Sequence, residues 1–458
     1  MRKIVLTTIG TLGDLHPFIA IALALKSRGF TPILAVAEDQ VAKARAAGID
    51  AVAVLPGFRA ICQRMGLSED EAARRIMANQ RQMLEQVILP AIETCANALD
   101  SITDDAEAIV ASNFVFAAPI IAAKRDLPLV SVILQPMAML SPHDPPGTPD
   151  FAMMRKKPST AMDLWWNRLF FAAVRELMHG LYGKRIDSAR AAHGLLPRGG
   201  RRMFDAGREA ALTLCCYSPL FGPTTPDAPA STRVVGFPVF DSASGAVASL
   251  DPALESFLSD GAPPVVFTLG TFAVHGAEAF YAVAEEAARR MGERAVLLTG
   301  REGDSGRRDG VFRCAYAPHS LLFPRSKAIV HHGGIGTTGQ ALRAGKPQLV
   351  VPHMGDQYDH ARRIAGMGVG RSLSAGRFTA KHAEAALRAL LNDRAYSEQA
   401  RRVRGLISHE DGASAAASAI RKLLAQPART IPGLGAGASP NFQNAPPGAV
   451  GLLPLPVG

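Results

Sequence analysis

The beginning of the chain alternates between strand and helix patterns, and this alternation limits the possible folds more than any other feature. Short apolar runs at residues 4–9, 31–37 and 51–55 predict strands, and the periodicity of residues 17–28 and 41–47 predicts helices. Consecutive β-α-β units form a parallel sheet with helices on both faces. The N-terminal part is therefore predicted to be a doubly wound α/β domain.

The same alternation starts again further along the chain. Residues 242–250 are mostly small and polar, which is typical of a linker, and a second series of strand and helix patterns follows them. The sequence thus predicts two doubly wound domains, residues 1–241 and 251–425, with a ligand cleft at the carboxyl ends of their strands. Residues 426–458 are rich in proline, glycine and alanine and are predicted to be a disordered tail.

Bulk composition excludes several classes of protein. The chain has 458 residues, of which 48% are hydrophobic, so each of two or three domains can bury a core. No apolar run reaches the roughly 18 residues that a membrane-spanning helix needs. The five cysteines are scattered and show neither metal spacing nor a disulfide framework. We therefore expect a protein of the reducing cytoplasm.

Positive charge is concentrated in one region. The net charge is +10, and residues 155–208 hold twelve Lys or Arg but only four Asp or Glu. This pattern fits either a solvated helix face or attraction to an anionic membrane surface or an acidic acceptor. Because no recognition motif accompanies the charges, nucleic acid is not expected as a partner. Peripheral contact with the inner face of the membrane therefore remains an alternative to a purely cytoplasmic location.

Residues 163–192 form a predicted helix with many large apolar side chains. Such a stripe either packs into a core or forms the wall of a pocket for a hydrophobic ligand, and the sequence leaves both open. Its apolar members are Trp165, Trp166, Leu169, Phe170, Phe171, Val174, Leu177, Met178 and Leu181.

Residues 328–345 predict an anion site. A short apolar strand leads into His331, His332 and a glycine-rich turn, and a helix-forming run follows. Backbone N–H groups and the helix dipole favour a phosphate at such a position. No Gly-Lys-Ser/Thr follows and the glycine spacing is not that of a dinucleotide fingerprint, so nucleoside triphosphatases and nicotinamide dehydrogenases are disfavoured.

Four motifs together resemble the GT-B glycosyltransferases of family 1. They are residues 10–17 (GTLGDLHP), 315–324 (AYAPHSLLFP), 331–338 (HHGGIGTT) and 352–361 (PHMGDQYDHA). The resemblance is greatest to the bacterial branch that holds the rhamnosyltransferase catalytic subunit of rhamnolipid synthesis, with sterol and macrolide glycosyltransferases as near neighbours. It implies a GT-B fold, which consists of two Rossmann-like domains facing across a cleft.

The resemblance also implies a donor site in the second domain. There His332 would hold the diphosphate of a UDP- or dTDP-sugar, and Thr271 would contact a phosphate. Asp356 and Gln357 would bind hydroxyl groups of the sugar. The remaining donor-binding residues implied are Gly334, Gly336, Thr337 and Thr338 around the diphosphate, and Tyr316, Ala317 and His319 around the nucleobase.

The acceptor side is expected around the first β-α turn. Asp14 matches the acceptor-side acid of the bacterial enzymes and would be the general base, although Asp at this position also commonly caps a helix. Gly13 and His16 lie beside it, and Trp165 and Phe170 are candidate contacts for a hydrophobic acceptor. His332, next to the leaving diphosphate, completes the predicted catalytic pair.

These residues predict an inverting hexosyltransferase that acts on a hydroxyl of a lipid, hydroxy fatty acid, sterol, polyketide or flavonoid-like acceptor. No cofactor and no metal ion is expected, because adjacent histidines rarely bind one ion and no third ligand has suitable spacing. Two alternatives remain open: a sugar-nucleotide epimerase of related fold, and a nucleotide-sugar binding protein without activity.

Overall fold

Two mostly parallel β-sheets, with helices packed against them, organise the computed structural model of the chain. The structure describes residues 2–201, 203–242, 248–270, 278–301, 303 and 305–426. Each sheet has seven strands. The strands of the first sheet lie between residues 2 and 234 and those of the second between residues 265 and 372. The two-sheet α/β architecture predicted from the sequence is therefore present.

The first sheet has the strand order β3-β2-β1-β4-β5-β6-β7, and all neighbouring strands are parallel. Its strands are β1 (Arg2–Thr7), β2 (Phe30–Ala37), β3 (Asp50–Leu55), β4 (Ala106–Ser112), β5 (Leu129–Ile133), β6 (Leu212–Cys215) and β7 (Thr232–Val234).

Nine helices accompany the described part of this first sheet, and the longest has 32 residues. They are α1 (Leu12–Lys26), α2 (Glu38–Ala46), α3 (Phe58–Met65), α4 (Glu69–Ala78), α5 (Gln80–Met83), α6 (Ile92–Asp100), α7 (Ala118–Lys124), α8 (Ala161–Ala192) and α9 (Ala206–Glu209).

The second sheet has the order β10-β11-β9-β8-β12-β13-β14, with only the edge strand β10 antiparallel to its neighbour among the strands described. Its strands are β8 (Val265–Thr268), β9 (Ala295–Leu298), β10 (Gly306–Arg308), β11 (Val311–Cys314), β12 (Ala328–His331), β13 (Gln348–Val350) and β14 (Gly370–Ser372). The helices of this half are α10 (Pro252–Ser259), α11 (Glu278–Met291), α12 (His319–Leu322), α13 (Ile335–Ala344), α14 (Asp356–Gly366), α15 (Ala380–Asn392), α16 (Arg394–Ile407) and α17 (Gly412–Leu424).

Helix α1 begins five residues before the predicted start at Pro17. Thr11 is its N-cap, and a capping box joins the two ends of the first turn: the Thr11 side chain accepts from the backbone N–H groups of this turn, and Asp14 accepts from Thr11 N–H. This reciprocal pairing satisfies backbone donors that a helix start leaves free. Pro17 lies inside the helix, so its position did not mark the boundary.

Two predicted helical stretches are divided in the structure. The pattern of residues 68–99 predicts a helical stretch interrupted at Pro90; the structure has the break around Pro90 and in addition divides the stretch into three α-helices and a π-helical turn at Leu84–Ile88. The segment predicted as one helix from residue 396 to 424 is divided into α16 and α17 by the residues that follow Ile407. The side chain of Asp411 caps α17 by accepting from Ser414 N–H, which fixes a new helix start.

The two halves of the molecule are joined by α17, the last helix of the described residues. Ser414 in α17 accepts a 2.5 Å hydrogen bond from Arg28 at the end of α1. The apolar core beside α1 contains Leu15 and Phe18 together with Ile407 and Ile420 from the C-terminal helices. Because of this crossover, the C-terminal helices stabilise the N-terminal half. The predicted tail from residue 427 lies outside the described residues, as do residues 243–247 of the predicted linker.

Across the described residues, no helix is both long enough and apolar enough to cross a membrane. All five cysteines are buried.

Candidate active site

A cavity of about 740 Å³ lies between the two halves of the molecule. Its wall on the side of the first sheet includes Gly13, Asp14 and His16. The opposite wall comes from the second sheet and includes Tyr316, His319, His332, Gly334, Gly336, Thr337, Asp356 and Gln357. The folded chain therefore brings eleven sequence-predicted site residues to one cavity, although they are up to about 340 positions apart in the sequence.

The loop between β12 and α13 turns sharply at two glycines. Gly333 has a φ of +95°, a conformation that other residues rarely adopt. Gly334 is the N-cap of α13, and no side chain among the described residues caps this end. The N–H groups of the first helical turn therefore face the cavity without a side-chain acceptor, which is the arrangement that binds anions at helix starts.

His331 holds this loop in place. Its Nδ1 accepts from Gly333 N–H at 3.1 Å, and its Nε2–H donates to Gln348 Oε1 at 2.9 Å. The imidazole is fully buried, and burial lowers its pKa to about 4. A neutral ring with both nitrogens bonded is a structural group, in agreement with its predicted place at the end of a strand.

His332 differs from its neighbour because it faces the cavity. Its buried Nδ1 has no hydrogen-bond partner among the described residues. Two glycines make room for the ring: a Cβ at Gly334 would lie 2.3 Å from His332 Nε2, and a Cβ at Gly270 would lie 2.7 Å from Cε1. Burial and the nearby His331 hold its pKa well below the ordinary value. The free ring is therefore neutral at pH 7.

The two threonines of the loop differ in position. Thr337 lines the cavity. Thr338 is fully buried, outside the described cavity wall, and its hydroxyl has no partner in the described part of the chain. On the cavity side, a Cβ at Gly336 would lie 3.4 Å from the Gly13 Cα atom. The start of α13 thus stands directly against the first β-α turn.

Asp356 and Gln357 begin α14 and face the same space. The Gln357 Oε1 accepts from His353 N–H at 2.8 Å and from Met354 N–H at 3.2 Å, so it supports the loop before the helix. Burial raises the pKa of Asp356. His360 Nδ1–H donates to Gly333 O at 2.7 Å, which connects α14 to the loop between β12 and α13.

The predicted nucleobase residues occupy the turn after β11. Tyr316 lines the cavity, and its hydroxyl donates to Asp241 Oδ1 at 2.9 Å, next to the predicted linker. His319 stacks on Phe323 with ring centroids 4.3 Å apart, and burial lowers its pKa to about 4. Ala317 is buried and lies outside the described cavity wall.

Asp14 meets both of the expectations that the sequence left open, because it caps a helix and also lines the cavity. Its Oδ2 accepts from Thr11 N–H at 2.8 Å, which makes it part of the helix cap. The same side chain lines the cavity. Burial raises its pKa to about 6, the Thr11 hydrogen bond lowers it, and the charge of Asp356 on the opposite wall raises it further. A carboxylate with a pKa near neutrality is suited to accept a proton.

His16 is held next to the linker. Its Nε2–H donates to Ser242 O at 2.8 Å, and its ring packs edge-on against Phe240 at 5.4 Å. Burial lowers the pKa of this imidazole. The bond to Ser242 uses Nε2, so Nδ1 carries the lone pair in the neutral ring.

Besides Ala317 and Thr338, three further predicted residues are not among those described at the cavity. Thr271 lies outside the described residues. Trp165 and Phe170 lie in the first half of α8, and neither belongs to the described wall of the cavity. Trp165 is 57% exposed, and Phe170 packs against Phe151 at 5.9 Å. The second half of α8 does reach the cavity and contributes Leu177, Met178, Leu181 and Tyr182.

Sequence reasoning missed a second cavity of about 650 Å³. It shares Ile9, Gly10, Thr11 and Leu12 with the first cavity, so the two meet beside Asp14. Its apolar wall includes Phe58, Ile61, Met83, Val87, Ile88, Ile92, Phe114, Val115 and Phe116. No motif marks these residues, and only the folded sheet brings the segments together.

Comparison with known proteins gives a consistent result. Residues 298–419 match the family model described as erythromycin biosynthesis protein CIII-like, C-terminal domain. The chain is 29% identical over 419 residues to O-mycaminosyltylonolide 6-deoxyallosyltransferase of Streptomyces fradiae, covering 90% of this chain and 94% of that protein. It is also 29% identical over 374 residues to vancomycin aglycone glucosyltransferase of Amycolatopsis orientalis, covering 80% and 85%.

A solved structure extends the comparison to the fold. The glycosyltransferase VinC in complex with dTDP superposes with a TM-score of 0.66 and 19% identity, covering 92% of this chain and 99% of that chain. At this identity the likeness concerns the fold alone. The two sheets and the intervening cleft described above are thus an arrangement found in solved glycosyltransferases.

Proposed function

This chain belongs to the GT-B glycosyltransferases with an erythromycin biosynthesis protein CIII-like C-terminal domain, and we propose that it transfers a hexose from a dTDP- or UDP-sugar to a hydroxyl of a hydrophobic acceptor, with inversion. One observation carries this proposal. The carboxylate of Asp14 and the uncapped start of α13 line opposite walls of one cavity. Glycosyl transfer requires a base near the acceptor hydroxyl and an anion site for the leaving diphosphate, on opposite sides of the same cavity.

The donor diphosphate belongs at the start of α13. The only Lys or Arg side chains in the described wall of this cavity are Arg81 and Arg343, and Arg343 bonds to the Glu410 carbonyl. The diphosphate would therefore depend on backbone N–H groups, the helix dipole and the imidazole of His332. The dTDP complex of VinC favours testing dTDP-hexoses first.

The acceptor belongs on the Asp14 side, with its apolar body in the second cavity. The wall of that chamber consists mostly of aliphatic and phenyl groups, with Lys43 and Asp39 among its few charges. Relatives named for a macrolide-type and a glycopeptide aglycone fit an acceptor with a large apolar frame. Burial of such a frame would position its hydroxyl group where the two cavities meet.

The reaction follows from these positions. The acceptor oxygen forms a bond to the anomeric carbon while the bond from that carbon to the diphosphate oxygen breaks. The electron pair of the broken bond leaves with the nucleoside diphosphate, where His332 and α13 stabilise it. Asp14 takes the proton of the hydroxyl group. A single displacement inverts the configuration at the anomeric carbon.

Proton NMR of the products tests this proposal. Wild-type protein is incubated with dTDP-glucose or UDP-glucose, with and without a panel of hydrophobic alcohols, and the anomeric proton of each glucoside is followed. We expect β-glucosides from these α-linked donors, with nucleoside diphosphate released only when an acceptor is present. A retained α-configuration would contradict inversion, and an epimerised nucleotide sugar formed without acceptor would establish an isomerase instead.

A further inference from the structure

Helix α8 has two very different faces. One face packs onto the protein through Asn167, Phe171 and Tyr182, which are at most 4% exposed. The other face leaves large apolar side chains in solvent at helical spacing. We call this set the α8 stripe: Met162, Trp165, Leu169, Leu177 and Leu181, each between 43% and 70% exposed.

This concentration of exposed apolar residues is unusual for the molecule. In the part of the chain that the structure describes, eleven large hydrophobic side chains are exposed, and five of them belong to the α8 stripe. Met153, 66% exposed, lies close by, because its carbonyl accepts from Trp166 Nε1 at 2.9 Å. Scattered exposed apolar residues need no explanation, but a contiguous set marks an interaction surface.

Positive charge borders the α8 stripe. Arg168 and Lys184 are exposed on the helix and Lys157 is exposed just before it, and none of the three has a carboxylate partner among the described residues. Nearby acids are occupied: Asp163 accepts from Thr160 N–H in the helix cap, and Glu176 pairs with Arg201 at 2.6 Å. The surface around the stripe is therefore cationic.

The stripe also continues into the candidate active site. Leu177 and Leu181 line the large cavity while remaining partly exposed. From Met162 to Leu181 the helix rises about 29 Å. Exposed apolar side chains thus follow α8 from its outer end to the cavity.

We propose that the α8 stripe rests on the surface of an anionic lipid bilayer. A helix with one apolar face, a tryptophan and flanking Lys or Arg lies parallel to a membrane, with its apolar face in the head-group region. Lys157, Arg168 and Lys184 complement anionic head groups. In this position the cavity opens towards lipid, where it receives a hydrophobic acceptor; this last step alone rests on the proposed function.

Co-sedimentation with vesicles tests the membrane contact without any transfer assay. The wild-type chain is expected to bind vesicles of phosphatidylcholine mixed with phosphatidylglycerol and to remain in solution with phosphatidylcholine alone. Binding should weaken as salt is added. A Trp165→Glu/Leu169→Glu variant should lose at least about tenfold in partitioning. The matched control is Leu406→Glu, because Leu406 is 53% exposed in α16, and it should bind as the wild type does.

Charge reversal provides an independent measurement. The triple variant Lys157→Glu/Arg168→Glu/Lys184→Glu should bind anionic vesicles at least about tenfold less well. A control variant has the same change in net charge at exposed positions of α15 and α16, Lys381→Glu/Arg394→Glu/Arg402→Glu. Its vesicle binding should decrease much less. Equal loss in both triple variants would mean that only overall charge matters and would overturn the proposal.

Fluorescence reports the position of the stripe directly. The chain has two tryptophans, so a Trp166→Phe variant leaves Trp165 as the only reporter, and its emission should shift to shorter wavelength with anionic vesicles. An unshifted emission would contradict burial in lipid. If the Trp165→Glu/Leu169→Glu variant keeps full vesicle binding but converts a dimer to a monomer in sedimentation velocity, the stripe is an interface between copies of the chain and the proposal is wrong.

Discussion

At the residue scale, two adjacent histidines have different environments that decide their roles. Both nitrogens of His331 are hydrogen-bonded within the protein, whereas the Nδ1 of His332 is buried at the cavity without a partner among the described residues. A buried polar atom without a hydrogen bond destabilises the folded protein. In a binding site, a ligand can supply the missing hydrogen bond. We therefore propose that His331 is a structural residue and that His332 is a binding residue.

Replacing His332 by Ala is expected to weaken nucleoside diphosphate binding by about 10- to 100-fold, because one hydrogen bond to a charged group is lost. Isothermal titration calorimetry with dTDP and UDP measures this change. The enzyme should remain folded, since the ring makes no hydrogen bond through Nδ1 in the free protein. Unchanged affinity would remove His332 from the diphosphate site.

The sequence predicted individual residues well where one local motif carries them. The strand, glycine turn and helix between residues 328 and 345 are present as the pattern predicts, and the anion site at this turn stays a prediction. The partner of Tyr316 could not be predicted in this way, because Asp241 is 75 positions away in the sequence. Trp165 shows the same limit: its apolar character suggested a pocket wall, but burial depends on which face of α8 meets the protein.

Among the structural elements, the start of α13 is shaped by two glycines, whose missing side chains leave room for a neighbouring ring. Gly334 and Gly270 leave space that the His332 ring occupies. Gly334 has a φ of −59°, which any residue can adopt, so steric contact with the ring, rather than backbone strain, requires glycine here.

A Gly334→Ala variant should therefore fold normally but displace the His332 ring, because the new Cβ would lie 2.3 Å from Nε2. We expect nucleoside diphosphate affinity to fall at least about tenfold, with little change in the melting temperature. Gly405→Ala is the matched control: no atom lies within 4 Å of the new Cβ in α16, and affinity should be unchanged. Wild-type affinity in Gly334→Ala would show that the ring position is not needed.

Strands and long helices could be predicted from periodicity, but their boundaries depended on capping. The pattern placed the start of α1 near Pro17, whereas the Thr11 capping box begins it at Leu12. The short elements α3, α7, α10 and β14 were not predicted, because three to eight residues give too little periodicity.

At the scale of the whole molecule, the cleft has fixed walls because ion pairs connect its two sides. Asp144, before α8, pairs with Arg363 at 2.6 Å and with Arg362 at 3.1 Å, both in α14. Buried Asp359 completes the cluster: it bonds to Arg363 at 2.6 Å and accepts from Gly147 N–H at 2.9 Å. Helix α14 begins with Asp356, so the cluster positions a predicted donor contact relative to the first sheet.

Changing Asp144 to Asn should lower the free energy of unfolding by about 1–3 kcal/mol, because Arg363 is largely buried and loses one of two carboxylate partners. Urea denaturation measures this loss, and KM for the donor should rise as α14 loosens. Glu286→Gln is the control, since the Glu286–Arg289 pair is solvent-exposed and should contribute at most about 0.5 kcal/mol. Equal stability of both variants would contradict a structural role of the cluster.

Asp14 is proposed to remove the proton of the acceptor hydroxyl, and the pH dependence of kcat/KM reports the ionisation of such a base. A base must be ionised, and the raised pKa of about 6 for Asp14 predicts that kcat/KM is constant above neutrality and falls as the pH decreases through about 6. Asp14→Asn should lower kcat/KM by about 10²- to 10⁴-fold, abolish this inflection and leave the Kd of the nucleoside diphosphate unchanged. An Asp14→Asn variant with the wild-type rate and the same acid limb would contradict the account.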